Sequence, residues 1–463
     1  MIHPTLVIIG VGSVLLAACS RQQPQNEAHN AAPNAPVTAT APGDQRPSAL
    51  VDIATDATDP GHFADTEPSI AVNPANVQDI AVVTFSEPWG PGEKAPVWRS
   101  SDGGRTWRKD RLLPQIDPDF GGPADQQLTF SPTGKLFLVT LGVDANDALR
   151  NKIMRAGATP GEMLLGAAFG DDQPQLGLHR TTGTCAARIY SAWLDTRNGS
   201  KSMVTASGDE GTNVETSTAG HSFPNRTTRL AVGQNDAYVI FKARVPGSIT
   251  GMFENAKFMV RRTDDCGKTW GGLGPDGVSV TGASQATTLF TNEFGNRAKG
   301  KVARARSSDA WIAAGPDGSV YAVYVNRDNG IAQLFVARST DRGVTWTSNR
   351  ATDGRNHSAY PEIAVAANGT VGVLYVDFDD AGPKTIFRHR FARSFDQGRT
   401  WSDEILQPLD PSILDNADDG FLWGDYEGLT AEGNTFYGVF TGESIGRATK
   451  EMDPIFFTRP ATR

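Results

Sequence analysis

The sequence predicts an all-β fold, a ring of seven four-stranded antiparallel blades around one axis, with six blades as the alternative count. Three observations predict it. A motif of the form Ser/Thr-x-Asp-x-Gly-x-Thr-Trp recurs four times, seven pairs of β-rich runs alternate with short polar turns, and 49 glycines and 28 prolines are spread along the 463 residues. Repeats of about 50 residues that each hold several short strands mean radial repetition of sheets rather than a solenoid of helices.

The motif appears at Ser100–Trp107, Thr263–Trp270, Ser339–Trp346 and Ser394–Trp401. Its chemistry is local. The Asp side chain accepts nearby backbone N–H groups and closes a tight turn. The Gly permits a positive φ, and the Trp folds back as an apolar plug between sheets. Asp102, Asp265, Asp341 and Asp396 are therefore read as turn formers, not catalysts. Two decayed copies, Gly157-x-Thr159-x-Gly161-x-Met163 and Thr216-x-Thr218-x-Gly220-x-Ser222-Phe223, fill the gaps, so the third motif position falls at 102, 159, 218, 265, 341 and 396. A rival register for the third unit, Ser207-x-Asp209-x-Gly211, keeps the Asp but lacks a bulky plug. The long step before 341 holds an insertion over 271–305.

Two β-rich runs precede each motif. They begin Ser69-Ile-Ala-Val and Ile80-Ala-Val-Val in the first unit and end with Glu427-Gly-Leu-Thr and Thr435-Phe-Tyr-Gly-Val-Phe in the seventh. The seventh unit runs out near Ile455-Phe-Phe before a fourth strand, while Ala49-Leu-Val-Asp-Ile-Ala has no partner ahead of the first. Pairing these two ends would close the ring and remove both exposed edges.

Ahead of the propeller, assigned to 49–463, the chain divides into 1–18 and 19–48. Leu6–Ala18 is apolar but too short to remain as a membrane span. It ends in Leu16-Ala17-Ala18-Cys19, which resembles the lipobox of bacterial lipoproteins and implies lipidation of Cys19. Ser20–Arg46 is rich in Ala, Pro, Asn, Gln and Thr and buries too little apolar surface to offset ordering entropy. It reads as a tether holding the domain off a membrane of the cell envelope. A formal net charge of −9 argues against a nucleic-acid partner. Two cysteines remain, Cys185 and Cys266, a pair suited to one disulfide in an oxidising compartment.

Strand alternation sorts the loops. The entry to each first strand and the loops between second and third strands lie at one end of the axis, the top. The motif turns, the first-to-second turns, and thus Cys185 and Cys266, lie at the bottom. Top entry segments carry Glu67, Asp125, Asp172, Arg229, Asp309, Trp311, Tyr360, Trp423, Asp425 and Tyr426. Convergent carboxylates beside aromatics suit sugar binding, acid–base work on a glycosidic bond, or a bound Ca2+ held by oxygen ligands. Solvated or turn-capping Asp residues are the plain alternative for any one of them.

The motif is similar to the Asp-box (BNR) repeat of sialidase-like propellers, over about 49–460. Glu67-Pro-Ser-Ile-Ala-Val-Asn-Pro and Gly424-Asp425-Tyr426 resemble exported bacterial members termed glycosyl hydrolases. The resemblance implies carbohydrate or a glycoconjugate as partner. For sialidases it implies an arginine clamp, a Tyr–Glu nucleophile pair and an Asp acid. The Arg-Ile-Pro clamp motif is replaced by Lys94-Ala-Pro-Val-Trp; Arg180, Arg188, Arg229 and Arg327 are candidates for the clamp. Two readings follow. One is a surface glycoside hydrolase with acid and base among Asp125, Asp172, Asp309 and Asp425 and Tyr426 as nucleophile. The other is a non-catalytic carbohydrate- or protein-binding propeller.

Overall fold

Seven four-stranded antiparallel sheets surround one axis in the computed structural model. It describes residues 49–55, 57–58, 65–86, 95–113, 123–144, 146, 148–157, 162–197, 199, 201–220, 225–244, 256–273, 277–280, 310–328, 331–379, 386–409, 424, 426–447 and 451–463. Cys19, the 1–18 and 19–48 segments, most of the 271–305 insertion, Asp309, Trp423 and Asp425 lie outside the described residues.

A short strand, β1 (Val51–Asp52), precedes the first blade. Blade 1 holds β2 (Asp65–Val72), β3 (Ile80–Ser86), β4 (Pro96–Ser100) and β5 (Arg108–Leu112); blade 2 holds β6 (Ala124–Phe130), β7 (Leu136–Val143), β8 (Leu149–Ala156) and β9 (Met163–Phe169). Blade 3 is β10 (Asp172–Leu178), β11 (Ile189–Asp195), β12 (Lys201–Ser207) and β13 (Glu215–Thr218). Blade 4 is β14 (Asn225–Val232), β15 (Ala237–Arg244), β16 (Ala256–Thr263) and β17 (Val278–Ser279). Blade 5 is β18 (Ala310–Ala314), β19 (Val320–Asp328), β20 (Ile331–Ser339) and β21 (Thr347–Arg350); blade 6 is β22 (His357–Val365), β23 (Val371–Asp379), β24 (Ile386–Ser394) and β25 (Ser402–Pro408). Blade 7 has β26 (Gly428–Glu432), β27 (Thr435–Glu443) and β28 (Met452–Pro460) from the C-terminal end and takes β1 as its outermost strand. Val51 pairs with Phe456 and Asp52 with Ile455, and Ile53 N–H donates to the Pro454 carbonyl at 3.1 Å. The ring therefore closes through its two ends.

Burial explains the run patterns. Second strands sit between two neighbouring blades, so β7 and β11 are buried at every position, whereas the outermost strands β5, β13 and β25 are mostly exposed and polar. Seven hydrophobic clusters form the core, one at each blade-to-blade interface. The motif turns reinforce these interfaces. In the first copy, Ser100 Oγ accepts the Gly104 N–H (2.8 Å), Asp102 Oδ1 accepts the Arg105 and Thr106 N–H groups (3.0 Å each), and Trp107 Nε1–H donates to the Gly104 carbonyl at 3.1 Å. A Cβ on Gly104 would lie 2.1 Å from Phe456 Cε1, and Trp107 meets the Phe456 ring edge-on at 5.2 Å. The turn is thus seated against the preceding blade. Gly103 N–H also donates to the Gln78 carbonyl in the β2–β3 turn (2.9 Å), which puts that turn and the motif at one end, the predicted bottom.

The third unit corrects the sequence reading. Its turn is the rival one: Ser207 Oγ accepts the Gly211 N–H at 2.8 Å, and Asp209 accepts both the backbone and side-chain N–H of Asn213. Thr216 and Thr218 lie in the outer strand β13 instead. The Asp–Asn pairing replaces the usual Asp–Thr pairing, so the missing Thr-Trp did not abolish the turn. In the second unit the β8–β9 turn does fall where the decayed copy was read, with Gly157 N–H donating to the Glu162 carbonyl.

Cys185, in the β10–β11 connection of blade 3, is disulfide-bonded to Cys266 in the motif turn of blade 4, with a Cα–Cα distance of 5.2 Å. This is the predicted pairing on neighbouring blades at the bottom.

Candidate functional site at the axis

The inner strands share a local irregularity near their starts. Register breaks between Thr66 and Ser69, Ala124 and Gln127, Asp172 and Gln175, Arg226 and Arg229, and Ala359 and Glu362. Within four of these bulges Glu67, Asp125, Gln173 and Tyr360 take φ values of 51°, 44°, 51° and 50°. Left-handed backbone at a non-glycine residue is uncommon, above all for a bulky tyrosine. A bulge re-aims side chains and recurs beside functional sites. One end of the axis is therefore lined by residues held in an unfavourable conformation by the same device in blade after blade.

Hydrogen bonds tie these bulges together around the ring. Gln126 Nε2–H donates to the Glu67 carbonyl (3.1 Å), Ser69 Oγ–H donates to Gln127 Oε1 (3.2 Å), and Asp125 Oδ2 accepts the Gln173 N–H (3.3 Å). Gly424, at φ 73°, has no room for a side chain, since a Cβ would lie 2.1 Å from Glu67 Cγ.

Arg229, Trp311 and Tyr426 meet beneath this rim. The Arg229 guanidinium lies 4.6 Å from the Trp311 ring centroid and 6.0 Å from that of Tyr426. These residues come from blades 4, 5 and 7. The Tyr426 hydroxyl donates to the Gln126 carbonyl of blade 2 at 3.4 Å. Arg229 is 0% exposed and Tyr426 only 2%. They form a sealed floor rather than an open wall, which the sequence reading, with Arg229 as a substrate contact and Tyr426 as a nucleophile, did not anticipate. Glu67 and Tyr360 are buried in the rim, while Asp125 and Asp172 are half-buried.

Two glutamates missed at the sequence level complete the floor. Glu362 of β22, fully buried, accepts the Leu429 N–H at Oε2 (2.8 Å), and its Oε1 has no hydrogen-bond partner among the described residues. Burial, then the neighbouring Glu427 charge, push its carboxyl well above the usual carboxylate range, against the pull of Arg229. Glu427 accepts the Thr441 N–H at Oε2 (2.8 Å) and meets His389 Nε2 at Oε1 (3.2 Å). Burial raises its carboxyl too, offset in part by His389. A signal existed: Glu362-Ile-Ala-Val, Glu427-Gly-Leu-Thr and Arg229-Leu-Ala-Val hold a charged residue at one repeat position.

The top loops hold fewer candidates than expected. Asp377 is buried between Arg388 (2.7 Å) and Arg390 (3.0 Å), a structural ion pair within blade 6, and Asp195 caps the Arg197 N–H at 3.1 Å. Among the described residues no group of three or more His, Cys, Asp or Glu is arranged to hold a metal ion.

No family model and no curated protein matches the chain. It is similar to three solved structures. A protein of unknown function from Dyadobacter fermentans shares 13% identity over 90% of this chain and 99% of that one, with a TM-score of 0.47. An alpha-L-arabinanase of Penicillium chrysogenum, complexed with arabinobiose, shares 14% over 71% of this chain and 94% of that one, at 0.45. The endosialidase of phage phi92 shares 13% over 89% of this chain and 69% of that one, at 0.45. These likenesses assign no residue and no reaction here.

The chemical capacity of the site lies in its division of carboxyl groups. Burial holds the Glu362 carboxyl well above the usual carboxylate range, beside the Arg229 cation, which in turn faces two aromatic rings. Asp125 and Asp172, half-buried, stand at the rim above it. A carboxyl with a raised proton affinity and further carboxyls in the same ring of bulges are the groups that proton transfer to and from a glycosidic bond requires.

Proposed function

We propose that the protein takes carbohydrate into the top mouth of the propeller and hydrolyses a glycosidic bond there, with Glu362 as the acid and Asp125 or Asp172 as its partner carboxyl. The observation carrying this reading is Glu362: a buried carboxyl pushed well above the usual carboxylate range, one oxygen without a hydrogen-bond partner among the described residues, beside Arg229 under a ring of re-aimed rim side chains. At the same rim the half-buried Asp125 and Asp172 provide carboxylates that sugar hydroxyls can meet. The apolar Leu6–Ala18 segment with Cys19, together with a disulfide that belongs to oxidising compartments, supports export and lipid anchoring. A sialidase-type specificity is the finer form of the proposal and rests on the motif resemblance alone.

The test is turnover of fluorogenic sialosides and common glycosides by the purified full chain, with and without calcium. Activity removed by Glu362→Gln and by Asp125→Asn or Asp172→Asn supports hydrolysis. One observation favours a second reading, the non-catalytic binder: the sealed floor keeps Arg229 and Tyr426 from direct contact with a ligand. Saturable glycan binding without turnover on any substrate selects that reading. Loss of lipid labelling in Cys19→Ala tests the anchor separately.

A further inference from the structure

A cavity lies at the end of the molecule opposite the rim, between the motif turn of blade 6 and the segment that follows β28. Its volume is about 390 Å³, within the size range of small-ligand sites. Arg393, Phe395, Thr400, Trp401, Thr462 and Arg463 line it. The segment carrying Thr462 and Arg463 is fixed rather than loose. Ala461 is fully buried, its N–H donates to the Asn434 carbonyl (2.8 Å), and its carbonyl accepts Thr370 Oγ1–H (2.8 Å) and Asn368 Nδ2–H (2.9 Å).

Three observations point to an absent anion. First, two guanidiniums converge on one ring: Arg393 and Arg463 lie 5.7 and 5.4 Å from the Phe395 centroid. Second, the nearby carboxylates are engaged elsewhere: Asp396 accepts the Thr400 hydroxyl and N–H at 2.6 and 2.8 Å. Glu404 lies 3.5 Å from Arg393 but is held more closely, through both oxygens at 3.1 Å, by Arg459. Arg463 has no carboxylate partner among the described residues. Burial, with the Arg459 charge beside it, lowers the Arg393 pKa despite Glu404, the response of a cation with too little counter-charge.

Third, two donors of lining residues, just behind the cavity surface, are unmet. Arg393 Nε and Trp401 Nε1 are buried with no hydrogen-bond partner among the described residues. In the other motif turns the same indole N–H is satisfied: Trp107 and Trp346 donate to the carbonyl of their own motif glycine, and Trp270 donates to Ser217 Oγ. At Trp401 the corresponding Gly398 carbonyl is taken by Asn349 Nδ2–H.

We propose that this basal cavity is a binding site for a carboxylate-bearing sugar ring, a hexuronate unit, distinct from the mouth at the top. The Arg393 and Arg463 guanidiniums recognise the carboxylate, Phe395 and Trp401 supply the apolar surface for the ring, and Thr400 and Thr462 face its hydroxyls. A guanidinium pair binds a carboxylate through charge-assisted hydrogen bonds, which favours the acid strongly over its neutral sugar. The site is an accessory one and assigns no reaction. It stands whether or not the top mouth is catalytic.

The experiment is calorimetric titration of the full chain with D-galacturonate, D-galactose and sodium sulfate in turn. The expected result is saturable galacturonate binding at one site, no detectable galactose binding, and affinity for sulfate at least tenfold weaker than for galacturonate. Arg393→Gln and Arg463→Gln each weaken galacturonate binding by about tenfold or more, one lost charge-assisted contact. Tyr426→Phe, at the top, leaves it unchanged. Arg463 is exposed, so its variant keeps the fold and the test survives if Arg393→Gln proves unstable. Absence of saturable galacturonate binding, binding unaffected by Arg463→Gln, or equal affinity for sulfate and galacturonate would each overturn the proposal.

Discussion

Tyr426 and Gln126 are 300 positions apart, yet the tyrosine hydroxyl donates to the Gln126 carbonyl at 3.4 Å. The tyrosine of blade 7 thereby spans past blade 1 to blade 2 and, with its ring facing Arg229, closes the axis beneath the rim. Its worth lies in filling space more than in one long hydrogen bond. Tyr426→Phe is expected to cost under about 1 kcal/mol in denaturant unfolding. Tyr426→Ala, which empties the place beside Arg229, costs ~3 kcal/mol or more. Equal effects of the two substitutions would show that the hydroxyl, not the ring, holds the floor.

Ring closure should weaken as pH rises. Asp453 of β28 is fully buried beside Asp52 of β1, facing Asp65 of β2, Arg447 and Glu451. Burial, then the Asp52 charge, push the Asp453 carboxyl up to about 9, and Asp52 is raised by burial as well. A carboxyl raised above its unfolded value stabilises the fold at low pH, and that stability is lost as pH climbs through the folded pKa. The urea midpoint is therefore expected to fall as pH rises from about 5 to 9 and to level off above that. Asp453→Asn, which cannot ionise, should flatten that fall. A wild-type midpoint constant across this window would remove the seam as its cause.

The propeller, its closure and its disulfide were all legible in the sequence because they rest on patterns that repeat or on pairs with no rival. Seven strand pairs and four motif copies fix the blade count and the two ends. The site was legible only as a region. Arg229, Trp311 and Tyr426 were found because they stand in entry segments, but their depth was not, since burial at the axis depends on how seven blades lean together. Glu362 and Glu427 read from the sequence only as strand beginnings, because the aromatic Tyr360 and Tyr426 mark one position while the floor is built from the next but one or the next. Ser207-Asp209-Gly211 was underrated because an Asn can satisfy the Asp in place of the Thr.

The motif turns should make the protein acid-sensitive. Thr345 hydrogen bonds bring the Asp341 carboxyl down to about 2. At Asp396 burial opposes the same effect, but the Thr400 hydroxyl and N–H outweigh it and the carboxyl again reaches about 2. Asp102, Asp209 and Asp265 shift in the same direction. A depressed carboxyl contributes stability above its unfolded pKa and loses it as pH falls toward the folded value. Melting temperature should drop steadily as pH falls from about 4 toward 2. Asp396→Asn is expected to melt lower at pH 6 and to show a shallower acid drop. A parallel drop would mean that the acid transition starts elsewhere.

The Cys185–Cys266 bond joins blades 3 and 4 across a separation of 81 residues. Its neighbourhood is already well tied. Arg188 Nε–H donates to the Cys266 carbonyl (3.0 Å), Ser217 Oγ–H to the Gly267 carbonyl (2.9 Å), and the Tyr190 and Trp270 rings meet edge-on at 6.5 Å. The native seam therefore needs little help from the cross-link, and the main effect falls on the unfolded chain, where closing a loop of this length is worth about 4.5 kcal/mol in the chain-entropy account. Cys185→Ser with Cys266→Ser should keep the folded seam, read as unchanged hydrogen-exchange protection in β12 and β16 under native conditions, while the denaturant midpoint falls. Early exchange confined to those two strands would instead place the bond's contribution in the native state, holding blades 3 and 4 together.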